Sequence, residues 1–288
     1  MMIDLHTHST ASDGSYTPAA LVTYAASCGL TILALTDHDT VAGNAEAAVA
    51  AASVHIQFIP GIELDIEWKS GECHLLGYGV QSNCTEFASL LIRLNDDRRK
   101  RNEAIVSRMR DAGIAVELAQ VETLAGGGTV GRPHFAKFLV EKKKARSVQD
   151  AFDRFLARGR PFFVDRTSIS LEEGVAAIRI AGGIPVLAHP LSLYVSWGNL
   201  PGVIQNFHDR GVVGLEAWHP ATRIRDAERL ESLAASLGMI ITAGSDFHGM
   251  TRTDRKLGRT TGEREIADRY FYEGLATVLN KGDLDKLG

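Results

Sequence analysis

Met2-Ile3-Asp4-Leu5-His6-Thr7-His8-Ser9 sets the pattern of the chain: a short apolar run that ends in two histidines spaced i and i+2. In extended backbone such residues point the same way, so His6 and His8 face one centre. The arrangement recurs. Thr31 to Leu35 runs into Thr36-Asp37-His38-Asp39, and Ile56 to Ile62 runs into Glu63. His74 flanks the run that continues to Val80. Ile184 to Ala188 ends in His189-Pro190, Val212 to Ala217 is followed by His219-Pro220, and Met239 to Ala243 leads to Asp246-Phe247-His248. Helical patterns lie between several runs, at Leu21 to Ser27 (closed by Cys28-Gly29), Ala42 to Ala52, Leu171 to Ala181 and Ala227 to Leu237. Seven near-continuous apolar strands alternating with helices indicate an α/β fold with a parallel, helix-covered sheet. In a barrel of such units the C-terminal strand ends converge on one face, where active sites are built.

Nine residues at these ends are of metal-ligand type: His6, His8, Asp13, His38, Glu63, His74, His189, Asp246 and His248. Imidazole and carboxylate together suit Zn, Mn or Fe. Nine ligands exceed the needs of one ion and fit two or three, with a carboxylate bridging two of them. A lone His-x-His or His-Pro is weak evidence, and His74 alone also reads as a core histidine. The joint placement decides, because six of the ten histidines fall at strand ends within this set. His55 and His208 fall in helical segments and read as ordinary.

The middle of the chain differs. Residues 91–165 show no strand pattern until Pro161-Phe162-Phe163-Val164 and carry the charge clusters DDRRKR and EKKKAR, read mostly as solvated helix faces. This block is expected to be a helical insertion between barrel segments 1–90 and 166–288, contributing to substrate binding. Gly126-Gly127-Gly128 within it lacks the lysine and spacing of a P-loop. The 288 residues include 31 Lys+Arg against 35 Asp+Glu, a net charge of −4, which gives no global attraction for nucleic acid or an anionic membrane. Three cysteines without a CxxC motif fit a reducing compartment. With no signal-peptide pattern and no long apolar span, a cytoplasmic protein is expected, with no membrane or obligate protein partner.

Taken together, Asp4-Leu5-His6-Thr7-His8-Ser9, Ser12-Asp13-Gly14, Thr36-Asp37-His38-Asp39, Gly61-Ile62-Glu63, His74-Leu75-Leu76-Gly77, Ala188-His189-Pro190 and Gly244-Ser245-Asp246-Phe247-His248 resemble the PHP (polymerase and histidinol phosphatase) superfamily. With Gly131-Arg132-Pro133-His134 and Gly159-Arg160-Pro161-Phe162-Phe163-Val164, the chain is similar to the stand-alone bacterial members that act on 3′,5′-nucleoside bisphosphates, some of them also 5′→3′ exoribonucleases. The resemblance implies a distorted (β/α)7 barrel and three divalent metal ions per chain, Mn favoured over Zn or Fe. It assigns His6, His8, Glu63 and Asp246 to the first ion, Glu63, His74 and His189 to the second, and Asp13, His38 and His248 to the third. No expected ligand is missing.

The expected chemistry is hydrolysis of a phosphate ester by a hydroxide bridging two ions, so no side chain serves as a covalent nucleophile. Glu63, Asp246, His189 and His248 are the residues expected to carry catalysis. Ser9, Ser12 and Ser245 read as turn residues or as supports behind the ligands, and Asp37 and Asp39 as partners orienting His38, with a turn or cap role equally open for Asp37. Arg132, His134 and His219 are the candidate substrate contacts, with Arg160 and Arg223 weaker ones. The expected substrate is a nucleotide bisphosphate such as pAp, with short 5′-phosphorylated RNA as the alternative. Histidinol phosphate, a metal-dependent amidohydrolase activity and a non-catalytic accessory module are the remaining readings.

Overall fold

The seven apolar runs form the strands expected of them: β1 (Met2–Asp4), β2 (Leu30–Leu35), β3 (Gln57–Ile66), β4 (Cys73–Tyr78), β5 (Ile184–Leu187), β6 (Gly214–Trp218) and β7 (Ile240–Ala243). The computed structural model describes residues 1–279 apart from 127, 166 and 167, so Gly127 of the glycine loop and the expected border at residue 166 lie outside the described residues. The strands form one mixed sheet in the order β1-β2-β3-β4-β5-β6-β7. Beyond the strand ends, Thr7 and Phe247 form a parallel bridge. There His8 N donates to Phe247 O at 2.9 Å and Phe247 N to His6 O at 3.4 Å, which joins the two edges of the sheet.

The sheet is not wholly parallel, which corrects the expectation for the fourth run. β4 pairs antiparallel with both β3 and β5, while the other pairs are parallel. The cause is local: only residues 67–72 separate β3 from β4, too few for a helical crossover, so the chain turns back as a hairpin. Reversal brings the first residues of β4, rather than its last, to the face where the parallel strands end.

Helices α1 (Pro18–Ser27), α2 (Asn44–Val54), α7 (Leu171–Ile180), α8 (Leu200–Asp209) and α9 (Ile224–Ser236) cover the sheet. Their ends follow the chain's own signals. Thr17 caps α1 by accepting from Ala20 N at 3.2 Å, with Pro18 at the first position, and Gly29 takes φ +81° just past its C-cap. Ser170 caps α7 in the same way.

Between β4 and α7 lie α3 (Thr85–Asp111), α4 (Leu118–Leu124), α5 (Arg132–Glu141) and α6 (Val148–Ala151). Pro161 to Val164 is turn and irregular backbone rather than a strand. Phe162 instead buries itself in a separate hydrophobic cluster with Ile105, Met109, Phe135 and Leu139. α3 belongs to both cores. Phe87, Leu91 and Leu94 pack on the sheet, whereas Ile105, Val106 and Met109 pack in the helical cluster. At about 40 Å its 27 residues form a strut between the two.

Asp4, wholly buried, ties β1 to the segments after β7. It accepts from His6 N (3.2 Å), Ser245 N (3.0 Å), Ser245 Oγ (2.5 Å) and Gly258 N (2.7 Å). Removing it would strand buried donors. Asp4→Ala is therefore expected to cost about 3 kcal/mol of stability, read as the shift in denaturant midpoint. A loss below about 0.5 kcal/mol, the range of an ordinary surface change, would refute this role.

Candidate metal centre

The nine sequence-predicted ligands come together at the end of the sheet. His6 Nε2, His8 Nε2, Glu63 Oε2 and Asp246 Oδ1 form one set. His6 lies 3.1 Å from His8, 3.3 Å from Glu63 and 3.6 Å from Asp246, and His8 lies 3.3 Å from each carboxylate. Glu63 Oε1 turns to a second set, with His74 Nδ1 at 2.9 Å and His189 Nε2 at 3.1 Å, these two nitrogens being 3.3 Å apart. His8, Asp13, His38 and His248 make a third set, their donor atoms all within 4.8 Å of one another, with His248 Nε2 at 3.2 Å from Asp13 Oδ1. His74 joins although it begins its strand, because β4 runs backwards.

This donor set fits divalent ions. Four ligands held tetrahedrally at about 2.1 Å from an ion stand about 3.4 Å from one another, and the two histidines of the first set lie 3.1–3.6 Å from each other and from its carboxylates. Bringing His6 Nε2 and His8 Nε2 face to face satisfies neither unless a proton or a cation lies between them. Among the described residues, buried His8 Nδ1 has no hydrogen-bond partner, and Asp13 Oδ1, His38 Nδ1 and Glu63 Oε2 have ligand-type neighbours at 3.2–3.3 Å but no aligned hydrogen bond. The electrostatics agree. Burial alone would raise the Glu63 carboxyl, but the imidazoles of His38, His6 and His74 hold it well below the usual carboxylate range. Asp246 is likewise low, burial being outweighed by His248, His219 and His8. Burial pushes His8 and His74 down, yet their carboxylate partners lift both to about 9, while burial dominates at His38 and takes it to about 3. Divalent cations would replace protons as the positive charge among these rings.

The ligands are held from behind. Glu216 on β6, fully buried, receives His6 Nδ1 at 3.0 Å on one oxygen and the His189 backbone N–H at 2.9 Å on the other. The second contact holds His189 at φ +25°, outside the regions an L residue prefers. A Cβ at position 244 would lie 2.2 Å from His6 Cβ and 2.6 Å from Glu216 Oε1, so only glycine lets β7 pass. Asp65 Oδ1 takes His74 Nε2 at 2.9 Å and Ser192 Oγ meets His189 Nδ1 at 2.9 Å. Asp37 binds Ser9 N (2.8 Å), Ser9 Oγ (2.6 Å) and Ser12 Oγ (2.5 Å), so it fastens the loop that carries Asp13. Asp39 pairs with buried Arg98.

Glu216, Asp65, Arg98, Arg101 and Arg255 are not among the residues expected from the motifs. Glu216 interrupts an apolar strand and Asp65 follows Glu63 at i+2, both legible signals. Arg98 and Arg101 sit in the DDRRKR cluster but belong to the seam Leu91, Leu94, Arg98, Arg101, Ile105, which alternates steps of three and four. All five are buried, while Arg99 and Lys100 are exposed. Of the expected substrate contacts, Arg132 opens α5 and binds Glu72 at 3.0 Å. His134 is buried, its Nδ1 accepting from Gly131 N at 3.0 Å. His219 Nε2 lies 3.3 Å from Asp246 Oδ2. Arg160 and Arg223 are exposed and make no contact with the cluster among the described residues. Arg255 is buried with its Nη2 3.9 Å from Asp246.

Residues 4–160 match the PHP domain. The chain belongs to the PHP family. The 5′-3′ exoribonuclease Rnm of Escherichia coli is 34% identical over 250 residues, 86% of this chain and 85% of that protein. The 3′,5′-nucleoside bisphosphate phosphatase of Chromobacterium violaceum is 31% identical over 282 residues, 98% of this chain and 99% of that protein. A Bifidobacterium adolescentis structure, described as a candidate metal-dependent phosphoesterase, superposes with a TM-score of 0.85 at 28% identity and covers 97% of each chain. PHP membership, these relatives and the ligand sets make the chain a metal-dependent phosphoesterase. No helix among the described residues is long and apolar enough to cross a membrane.

Two outcomes follow for this PHP centre. Ion binding at a thousand times its dissociation constant adds about 4 kcal/mol, so chelation should lower the melting temperature by about 10 °C; an unchanged melt would exclude bound ions. Glu216→Gln should weaken metal affinity about 10-fold and Glu216→Ala about 100-fold, titrated calorimetrically with Mn. Wild-type affinity in both variants would remove Glu216 from the positioning of His6.

Proposed function

We propose that the enzyme removes the 3′-phosphate of 3′,5′-nucleoside bisphosphates, converting pAp to AMP and phosphate. Three divalent ions per chain, Mn favoured, would be held by His6, His8, Glu63 and Asp246, by Glu63, His74 and His189, and by Asp13, His38 and His248. Bound there, they would supply Lewis-acid chemistry: acidified water and neutralised phosphoryl charge. Glu63 couples the first two sets through its two oxygens. Asp246, His189 and His248 complete the sets around the reacting phosphate. His219 accepts from Ala221 N at Nδ1 (3.1 Å), which leaves its proton on Nε2, beside Asp246 and facing the centre.

The observation that carries the substrate reading is Arg101. It is 6% exposed, makes no ion pair with a carboxylate among the described residues, and its Nε has no hydrogen-bond partner. Burial and the charges of Arg98 and Arg132 beside it, only partly offset by the Asp39 carboxylate, hold its guanidinium well below the usual arginine range. A buried arginine crowded by two others calls for an anion, and a phosphate accepts a guanidinium fork. Asp39 and Glu72 pair with Arg98 and Arg132, so among the described residues Arg101, whose Nη2 donates to Asn102 Oδ1 at 2.9 Å, is the member of the trio without an ion pair. A second phosphate distinguishes a bisphosphate from a monophosphate. His134 supports this grip indirectly, by closing the turn from which Arg132 projects. The same grip on a 5′-phosphate would present the next phosphodiester of RNA to the ligand sets, which keeps 5′→3′ exoribonuclease action as the second reading.

Steady-state kinetics on pAp, 3′-AMP and 5′-AMP should rank pAp first by at least about 10-fold in kcat/KM, the worth of one charge-assisted contact. Arg101→Ala should raise KM for pAp about 10- to 100-fold with kcat little changed, the mark of lost uniform binding. Arg132→Ala should do less, because Glu72 already engages that guanidinium. Equal cleavage of 3′-AMP and pAp would overturn the assignment, and activity restricted to 5′-phosphorylated oligonucleotides would favour the second reading.

A further inference from the structure

The arginine trio and His219 lie on opposite sides of the sheet. Arg98, Arg101 and Arg132 reach it beside Asp39, just after β2, and Glu72, just before β4. His219 follows β6, on the far side of the circuit. A strand whose 5′-phosphate occupies the trio and whose next phosphate lies at the ligand sets must continue toward β6. This direction rests on the 5′-phosphate grip argued above.

The rim on that side is rich in arginine and aromatic residues, with Asp226, Glu228, Glu263 and Glu265 interleaved. Arg223, Arg225 and Arg229 project from the start of α9, and Arg264 from the short antiparallel pair, Arg259–Thr260 with Arg264–Glu265, that follows β7. All four are exposed and none forms an ion pair with a carboxylate among the described residues. Unpaired exposed arginines are notable in a chain of net charge −4. They are also connected. The Arg264 guanidinium lies 4.5 Å from the ring centroid of Trp218, the residue before His219, and the loop at Gly262 approaches Ile224 at the head of α9. One turn further, the Arg229 guanidinium lies 3.9 Å from the ring centroid of Trp197. Trp197, Pro201, Arg225, Glu228 and Arg229 line an open groove of about 370 Å³ there. The path thus runs from the neighbour of His219 over the head of α9 to an aromatic face already covered by a guanidinium.

We propose that this rim is a track for the 3′ portion of single-stranded RNA. The arginines pair with successive backbone phosphates, and a base stacks on Trp197, displacing Arg229 toward a phosphate. Sequence-independent binding of single strands uses this combination of cationic groove and aromatic platform.

Affinity for a 5′-phosphorylated, phosphorothioate-linked ten-nucleotide RNA and for the matching dinucleotide is measured by fluorescence anisotropy with the metal-loaded enzyme, across a salt series. Wild type should bind the ten-mer at least about 10-fold more tightly than the dinucleotide, with a salt slope steeper by about 0.7 per additional phosphate contact. Arg225→Ala with Arg229→Ala should erase most of that ratio, while Arg225→Lys with Arg229→Lys should retain it, because the charge persists. Equal ratios in wild type and the alanine variant would overturn the track, as would wild type that binds both lengths alike or releases the ten-mer to polyglutamate as readily as to competing RNA. A ten-mer held through the arginines but never shortened in its phosphodiester form would leave the track standing and sink the exoribonuclease reading alone.

Discussion

One buried carboxylate couples the rest of the centre. Glu63 Oε2 meets His6 and His8 from β1, and Glu63 Oε1 meets His74 and His189 from β4 and β5. Each of these groups is costly to bury alone, and a carboxylate out of water costs most of all. The strands are tolerable in this arrangement because their polar ends neutralise one another. Glu216, Asp65 and Ser192 extend the constraint outward, fixing ring orientation at His6, His74 and His189. The strained backbone at His189 and the bare glycine at 244 are the local costs of bringing so many side chains to one point.

The reversed strand is the topological device that completes this set. A seventh βα unit running parallel would place His74 at the opposite end of the sheet from Glu63. The hairpin after β3 moves it to the correct end and leaves room for the chain to depart into α3. That helix then does two things with one seam. Its first half packs on the sheet, and Arg98 and Arg101 come round on the same face toward Asp39 and Arg132. The helices between β4 and α7 are thereby held by their own hydrophobic cluster, while Arg98 pairs with Asp39, the neighbour of His38.

Much of this was legible in the residues. The seven strand positions, the main helices and seven of the nine candidate ligands follow from apolar runs that lead into histidine or carboxylate, with His74 at the start of its run and Asp13 in the loop beyond His8. The less legible features have physical causes. Strand direction is not written in hydropathy, so His74 read as a strand-flanking residue without its orientation. Pro161 to Val164 has the composition of a strand, but tertiary packing of Phe162 in the helical cluster overrides that preference. The charge cluster on α3 read as solvated because composition averages over a helix, whereas burial depends on which face each residue takes.

The sequence by itself determined the fold class and the chemistry of the centre, because apolar periodicity and ligand-type residues at strand ends are local properties that survive without coordinates. Only the tertiary structure decided which oxygen of Glu63 serves which histidines, that Glu216 reaches across from β6 to His6, and that Arg101 is buried with no ion pair to a carboxylate among the described residues. Those facts arise between residues as far as 210 positions apart, and only the closing of the sheet and the docking of α3 bring them within hydrogen-bonding distance.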